Sequence, residues 1–373
     1  MNSLNKVKAA PLSGSSKALT ILSQLLLPSQ SPAMIEPGAE ELGITTISRQ
    51  EFDDIAILAD CNHVLMRGME VFRELMHQAG DSGREAWATT EIATERSRIQ
   101  NAISFLQNIC GAFNKEGLDV AVIKSLDHWP DLGSDLDLYT NADPSDVLRL
   151  MKQYFEARKA SRSWGDRLAH KWNFKVPGLP ELVEIHMGRL GQTGEQIAIA
   201  NSIIRRSRLI LVDNRAFRVP AVSDRILIST LQRMYRHFYF RLCDIIDSSL
   251  LVEGGAIDYE DLRSVATMAG IWEGAATYLV IVSDYVKQFR SEGLELPSFV
   301  KESAQFGGDR LYFRRDFLRV PILPESAALY ASQLTALLLN RELKSTARLT
   351  LLPYLATAAA VGQKITGSDK GIW

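Results

Sequence analysis

A chain of 373 residues with 46% hydrophobic content can bury a large core, as one big unit or two to three ordinary domains, and is not a small disulfide-stapled scaffold. Its 42 Lys and Arg stand against 44 Asp and Glu, so a net charge of -2 gives no general pull toward nucleic acid or membrane, and any anion site must be local. The cysteines, Cys61, Cys110 and Cys243, lie in apolar, helix-like text without metal-ligand spacing, which predicts free thiols in a reducing compartment, the cytoplasm.

Met1 to Ser16 is small and polar, and Lys17 opens a short amphipathic helix that Pro28 ends. The run 21–27 is too short for a signal core, and no apolar run is expected to span a membrane. Pro32 to Thr46 reads as linker, so 1–47 is expected to be a flexible segment carrying one helix. Ser48 and Glu51 form a capping box that starts a helical pattern running to about Gln78, with Ile55, Leu58, Ala59, Val64 and Leu65 as its core stripe. After the gap at 79–83, a second long helix from about Thr89 to Lys115 completes an N-terminal helical region, 48–116.

An α/β segment follows over 117–222. Gly117 precedes a strand, 120–123, that ends at Lys124-Ser125. Gly133-Ser134 then turns into Asp135-Leu136-Asp137-Leu138-Tyr139, and the period of two puts Asp135 and Asp137 on one face, roughly 7 Å apart at Cα, with Leu136 and Leu138 on the other. Paired carboxylates of this kind suit a hard divalent cation, which takes oxygen ligands from one or two acids plus substrate phosphates. Asp143 to Ala157 is helical with Pro144 near its start. Residues 171–176 and 181–187 alternate around the turn 177–180 as an antiparallel hairpin, which places Glu184 and His186 on a shared face. A further hairpin, 208–212 with 216–220, closes the segment, and from Ser223 a C-terminal helical domain, 223–373, is expected.

With Ile123-Lys124-Ser125, Asp135-Leu136-Asp137 and Glu184-Ile185-His186 in this order, the chain resembles the nucleotidyltransferase fold of the polymerase-beta-like superfamily. More narrowly, it resembles the uncharacterised bacterial nucleotidyltransferase family with Lys-Gly after the first strand, an Asp-x-Asp strand and an Asp-x-His strand. The likeness runs from about Ser48 to about Gln288. It departs at two places: Ser125 stands for the glycine and Glu184 for the third aspartate.

The resemblance implies an α+β fold with a small mixed-sheet nucleotidyltransferase core between N- and C-terminal helical segments. It implies a Mg²⁺-dependent nucleotidyltransferase that moves a nucleoside monophosphate from a nucleoside triphosphate to an unidentified small-molecule, peptide, protein or tRNA acceptor. Asp135, Asp137 and Glu184 are then the catalytic acids and the ligands of one or two Mg²⁺ ions, with Glu184 either a metal ligand or the base for the attacking hydroxyl. Lys124, Ser125, Ser134, His186 and Arg189 are expected to line the nucleotide or substrate site. The alternative is a non-catalytic nucleotide- or partner-binding protein on a degenerate fold. Asp247 is expected to be buried in an ion pair that fixes the helical region, and the stretch Arg233 to Arg241 to bury its rings and solvate its charges.

Overall fold

The computed structural model describes residues 17–28, 38–290, 292–355 and 357–358; the expectations for 1–16 and for the linker up to residue 37 lie outside them. The chain opens with α1 (Lys17–Leu26), which buries Leu19, Ile21, Leu22 and Leu25 and ties Ser23 to the Tyr285 hydroxyl at 2.7 Å. The Ser48–Glu51 capping box starts α2 (Arg49–Cys61) as expected. The single helix predicted to Gln78 is in fact two. Asn62-His63 interrupts it, His63 adopting φ 53°, and α3 (Leu65–Gln78) starts after the break. The following helix, α4, begins at Ser82 rather than Thr89, because Asp81 caps it by accepting from the Arg84 N–H, and it runs to Lys115.

Gly117, at φ 70°, ends α4 in a left-handed cap: the Leu118 N–H reaches back to the Phe113 carbonyl at 2.9 Å and the chain turns into the sheet. The sheet is built from β1 (Val120–Val122), β2 (Asp135–Thr140), β3 (Arg158–Lys159), β4 (Lys171–Lys175) and β5 (Leu182–Met187). Their spatial order is β1-β2-β5-β4-β3, with β2 and β5 parallel and every other pair antiparallel. A parallel neighbour requires a crossover, and α5 (Pro144–Phe155), with Asp143 as N-cap, begins it. The expected hairpin 171–187 forms, as does the expected hairpin of β6 (Arg208–Val212) and β7 (Arg215–Val219), whose Asp213 and Asn214 take the positive φ of a tight two-residue turn. Leu136, Leu138, Val183 and Ile185 are fully buried on one face of the central pair, which leaves the other face to the acids.

The C-terminal part departs from the all-helical expectation. A helix, Val222–Thr230, runs straight into a π-helical segment, Leu231–Arg236, and then into β8 (Tyr239–Phe240). β8 pairs with β10 (Phe317–Arg319), which pairs with β9 (Tyr312–Arg314), giving a second, three-stranded antiparallel sheet. Between them lie helices Leu242–Glu253, Tyr259–Met268 and Trp272–Arg290. These residues form a mixed α+β fold with a small mixed sheet, and the buried apolar side chains from Leu19 to Leu329 form one connected core. One stretch, Ile322–Leu339, is long and apolar enough to cross a membrane by length and composition, contrary to the expectation from sequence. Its backbone is not one helix: Leu323 has φ -124° and ψ 133°, so the continuous α-helix is only Ala327–Leu339, shorter than the ~20 residues a span requires.

Candidate active site

The register of the parallel pair sets Asp137 beside Glu184, with Asp135 two residues earlier on the same face, so three carboxylates converge as predicted. They open into a cleft of about 250 Å³ that Lys124, Ser125, Gly133, Ser134 and Lys171 also line. Burial pushes the Asp135 carboxyl up to about 6, aided by repulsion from Asp137 and Glu184 and opposed by Lys124 and Lys171. No hydrogen bond satisfies that carboxylate among the described residues.

Glu184 is the opposite case. Burial alone would raise it, but Lys124 and Lys171, together with the hydrogen bond from His186, hold it well below the usual carboxylate range. Lys171 Nζ donates to Glu184 Oε2 at 2.8 Å and pairs with Asp166 at 2.9 Å, while His186 Nε2 lies 2.8 Å from Glu184 Oε1. Lys124 pairs with Asp137 and lies 3.4 Å from Glu184, so its ammonium sits between two acids.

Lys124 reaches that place through an unusual backbone. Its φ of 61° and ψ of -59°, with the Ser125 N–H donating to the Ile123 carbonyl at 2.6 Å, make a γ-turn of the rare, strained positive-φ kind. The Ser125 hydroxyl stabilises this turn: it accepts from the Asp137 N–H at 2.8 Å and donates to the Asp135 carbonyl at 3.2 Å. The departure from glycine at this position therefore has a structural role, clamping the turn after β1 to the backbone of the acid strand. Ser134 is exposed on the cleft rim.

Three contributions escaped the sequence reading. Arg98 of α4 holds the turn before β2 from behind, donating to the Leu132 and Gly133 carbonyls at 2.9 and 3.3 Å while pairing with Glu95 and Glu181. Lys171 carries no motif and counts only through its two acids. The third is the opposite wall of the cleft, made by Gln232, Arg233, Arg236, His237, Tyr239 and Arg241. Arg233 is committed to Asp244 at 2.7 Å, but Arg236 and Arg241 have no acidic partner among the described residues. Arg241 lies over the rings of Tyr239 and Phe317, which hold its guanidinium in place. The expectation that Arg233 to Arg241 merely solvates its charges is thus corrected: the π-helical turn and the positive φ of Phe238 bring this stretch over the acids.

Arg189 is also corrected. It follows β5 but does not line the cleft, its guanidinium donating to the Gly194 carbonyl at 3.2 Å, and His186, also expected to line it, lies buried behind Glu184. Asp247 is buried in an ion pair as expected, with Arg67 at 2.7 Å and His128 as its partners. A carboxylate trio with a neighbouring imidazole offers hard oxygen donors, and Asp137, Glu184 and His186 present ligand atoms within 4.8 Å of one another. Comparison with family models, curated proteins and solved structures finds no match.

Proposed function

We propose that this cleft is the site of a divalent-metal-dependent nucleotidyltransferase. One observation carries the reading: three acids on adjacent strands face, across the cleft, two arginines that have no acidic partner among the described residues, an arrangement suited to a metal-bound polyphosphate. Asp135, Asp137 and Glu184 would hold Mg²⁺, which when bound polarises phosphoryl oxygens and neutralises developing charge. Arg236 and Arg241 then meet the β- and γ-phosphates, and Lys124 exchanges Asp137 for a phosphate oxygen.

The acceptor hydroxyl attacks the α-phosphorus, the bond to the bridging oxygen of the β-phosphate breaks, and pyrophosphate leaves. Glu184, held ionised by two ammonium groups, serves as a fixed negative charge rather than as the base that sequence left open. Asp135, whose carboxylate no hydrogen bond satisfies among the described residues, takes up the acceptor proton. A second reading, a non-catalytic nucleotide- or partner-binding protein, is favoured by the ammonium groups of Lys124 and Lys171, which already offset the charge of Asp137 and Glu184.

The test is pyrophosphate release by the full-length protein with Mg²⁺ and each nucleoside triphosphate, offered small-molecule, protein and RNA fractions as acceptors. Release that Asp137→Asn abolishes supports the enzyme. Tight Mg²⁺-dependent nucleotide binding with no pyrophosphate from any combination supports the binding protein.

A further inference from the structure

The cleft has a second cluster of ligand-bearing side chains beside the acids. His63, His128 and Cys243 present atoms within 4.8 Å of one another, and Cys243 Sγ lies 3.8 Å from His128 Nε2. Three separate segments bring them together. Asn62 fastens the junction of α2 and α3 to the start of helix Leu242–Glu253: its side-chain oxygen accepts from the Leu242 N–H at 3.0 Å and its carbonyl from the Cys243 N–H at 3.3 Å. The strained φ of 53° at His63 then directs its ring to the cleft, where Gly133 leaves room; a Cβ at 133 would come within 3.0 Å of the imidazole. His128 enters from the short turn after β1 and gives its Nδ1 to Asp247, which Arg67 also holds.

From these contacts we infer that His63, His128 and Cys243 form a three-ligand site for Zn²⁺ whose fourth position opens into the cleft. The donor set is imidazole and thiolate, which suits Zn²⁺ and not Mg²⁺. In a tetrahedral zinc site the sulfur and nitrogen ligands lie about 3.5 Å apart, close to the separation of Cys243 and His128 here. The carboxylate on the far nitrogen of His128 is the partner that ligating histidines ordinarily have; it fixes the tautomer and points Nε2 at the ion. His63 Nδ1 is buried without a hydrogen-bond partner among the described residues, an unsatisfied atom that otherwise has no explanation.

The two imidazoles line the cleft while Cys243 lies fully buried behind them, so the open position faces the substrate side. That geometry also decides against Cys243 as a nucleophile. A thiol, imidazole and carboxylate in sequence have the right order for one, but a fully buried thiol cannot meet a substrate. An ion needs only its ligands, and on binding the Cys243 proton is released to solvent.

The site stands independently of nucleotidyl transfer, and its test reads the metal alone. The protein stripped with chelator and titrated with Co²⁺ should show a thiolate-to-cobalt charge-transfer band that saturates at one ion per chain, whatever Co²⁺ the acids take up without such a band, and Zn²⁺ should abolish it. Cys243→Ser should abolish the band and His63→Gln should raise the Co²⁺ concentration that half-saturates it by about tenfold or more, while Cys61→Ser and Cys110→Ser leave the band and its titration intact. Inorganic pyrophosphate should shift the visible Co²⁺ spectrum by filling the fourth position. No charge-transfer band in the native chain, or a band that survives Cys243→Ser in a variant with native circular dichroism, overturns the site. A spectrum indifferent to pyrophosphate overturns the open position.

Discussion

The floor and the far wall of the cleft are built by opposite means. The floor is two neighbouring strands, β2 and β5, whose alternation alone fixes where Asp135, Asp137 and Glu184 point. The wall is a π-helical segment, a residue at positive φ and a two-residue strand, so no single period describes it. Charge follows the same division. The floor gathers carboxylates, where burial first and mutual repulsion second lift Asp135, and Lys124 and Lys171 offset their charge; the wall offers Arg236 and Arg241, which meet no acid among the described residues. Regular structure places the acids at a fixed spacing, and irregular structure brings the cations across to them.

The largest effect that separates floor from wall should come from Glu184→Gln. The amide keeps the shape and the hydrogen bond from Lys171 but removes the fixed charge, so turnover should fall about 10²–10³-fold while the protein stays folded. Unchanged pyrophosphate release would remove Glu184 from the proposed site. Arg98→Met attacks the floor from behind. It would strip Glu181 and Glu95, both nearly buried, of their cation and free the Leu132 and Gly133 carbonyls, so a loss of about 3 kcal/mol in urea unfolding is expected. A loss below about 0.5 kcal/mol would mean that the turn before β2 holds without α4.

Arg241→Met breaks the wall and leaves the floor intact. A charge-assisted contact of about 1.5–3 kcal/mol corresponds to a KM for nucleoside triphosphate raised roughly 10–100-fold, with kcat less affected. A fall in kcat alone would place Arg241 on the reacting centre instead of the leaving phosphates.

How much of this was legible follows from the same contrast. The acid strands, the hairpin over 171–187 and the 208–219 hairpin were readable because each rests on period two and a turn residue. Lys171 was readable as a strand residue, but its importance depends on Asp166 and Glu184, which only the fold assembles. Arg189 misled for the converse reason: it follows the acid strand in sequence, yet Gly188 at φ 67° turns the chain away from the cleft before it. The split between α2 and α3 was hidden because the apolar stripe of Ile55, Leu58 and Ala59 seems to continue into Val64 and Leu65, and no glycine or proline marks the break at Asn62-His63. Cys243 is the buried free thiol that the sequence suggests, but its neighbours His63 and His128 lie far from it in sequence and could not be read beside it.

The smallest and most discriminating effect concerns Asp135. Its carboxyl is raised from the ordinary 3.8 to about 6, so between those values the folded protein keeps a proton that the unfolded chain has lost. Stability therefore falls as pH rises through this window, and the full penalty is present above 6. Asp135→Asn removes the charge and should stabilise the metal-free protein at pH 8 by about 1 kcal/mol, after discounting the shift for solvent screening at a partly exposed group. At pH 4 the variant and the native protein should melt alike. Added Mg²⁺ reverses the order, because an ion favours the ionised carboxylate: at pH 8 it should raise the melting temperature of the native protein more than that of Asp135→Asn, and the native gain should fade as pH drops through 6. Thermal melts at pH 4, 6 and 8, with chelator and with Mg²⁺, read all of this in one series. A destabilised Asp135→Asn at pH 8 without metal would show that the floor is not strained by its own charge, and an equal Mg²⁺ response in both proteins would take Asp135 out of the metal site.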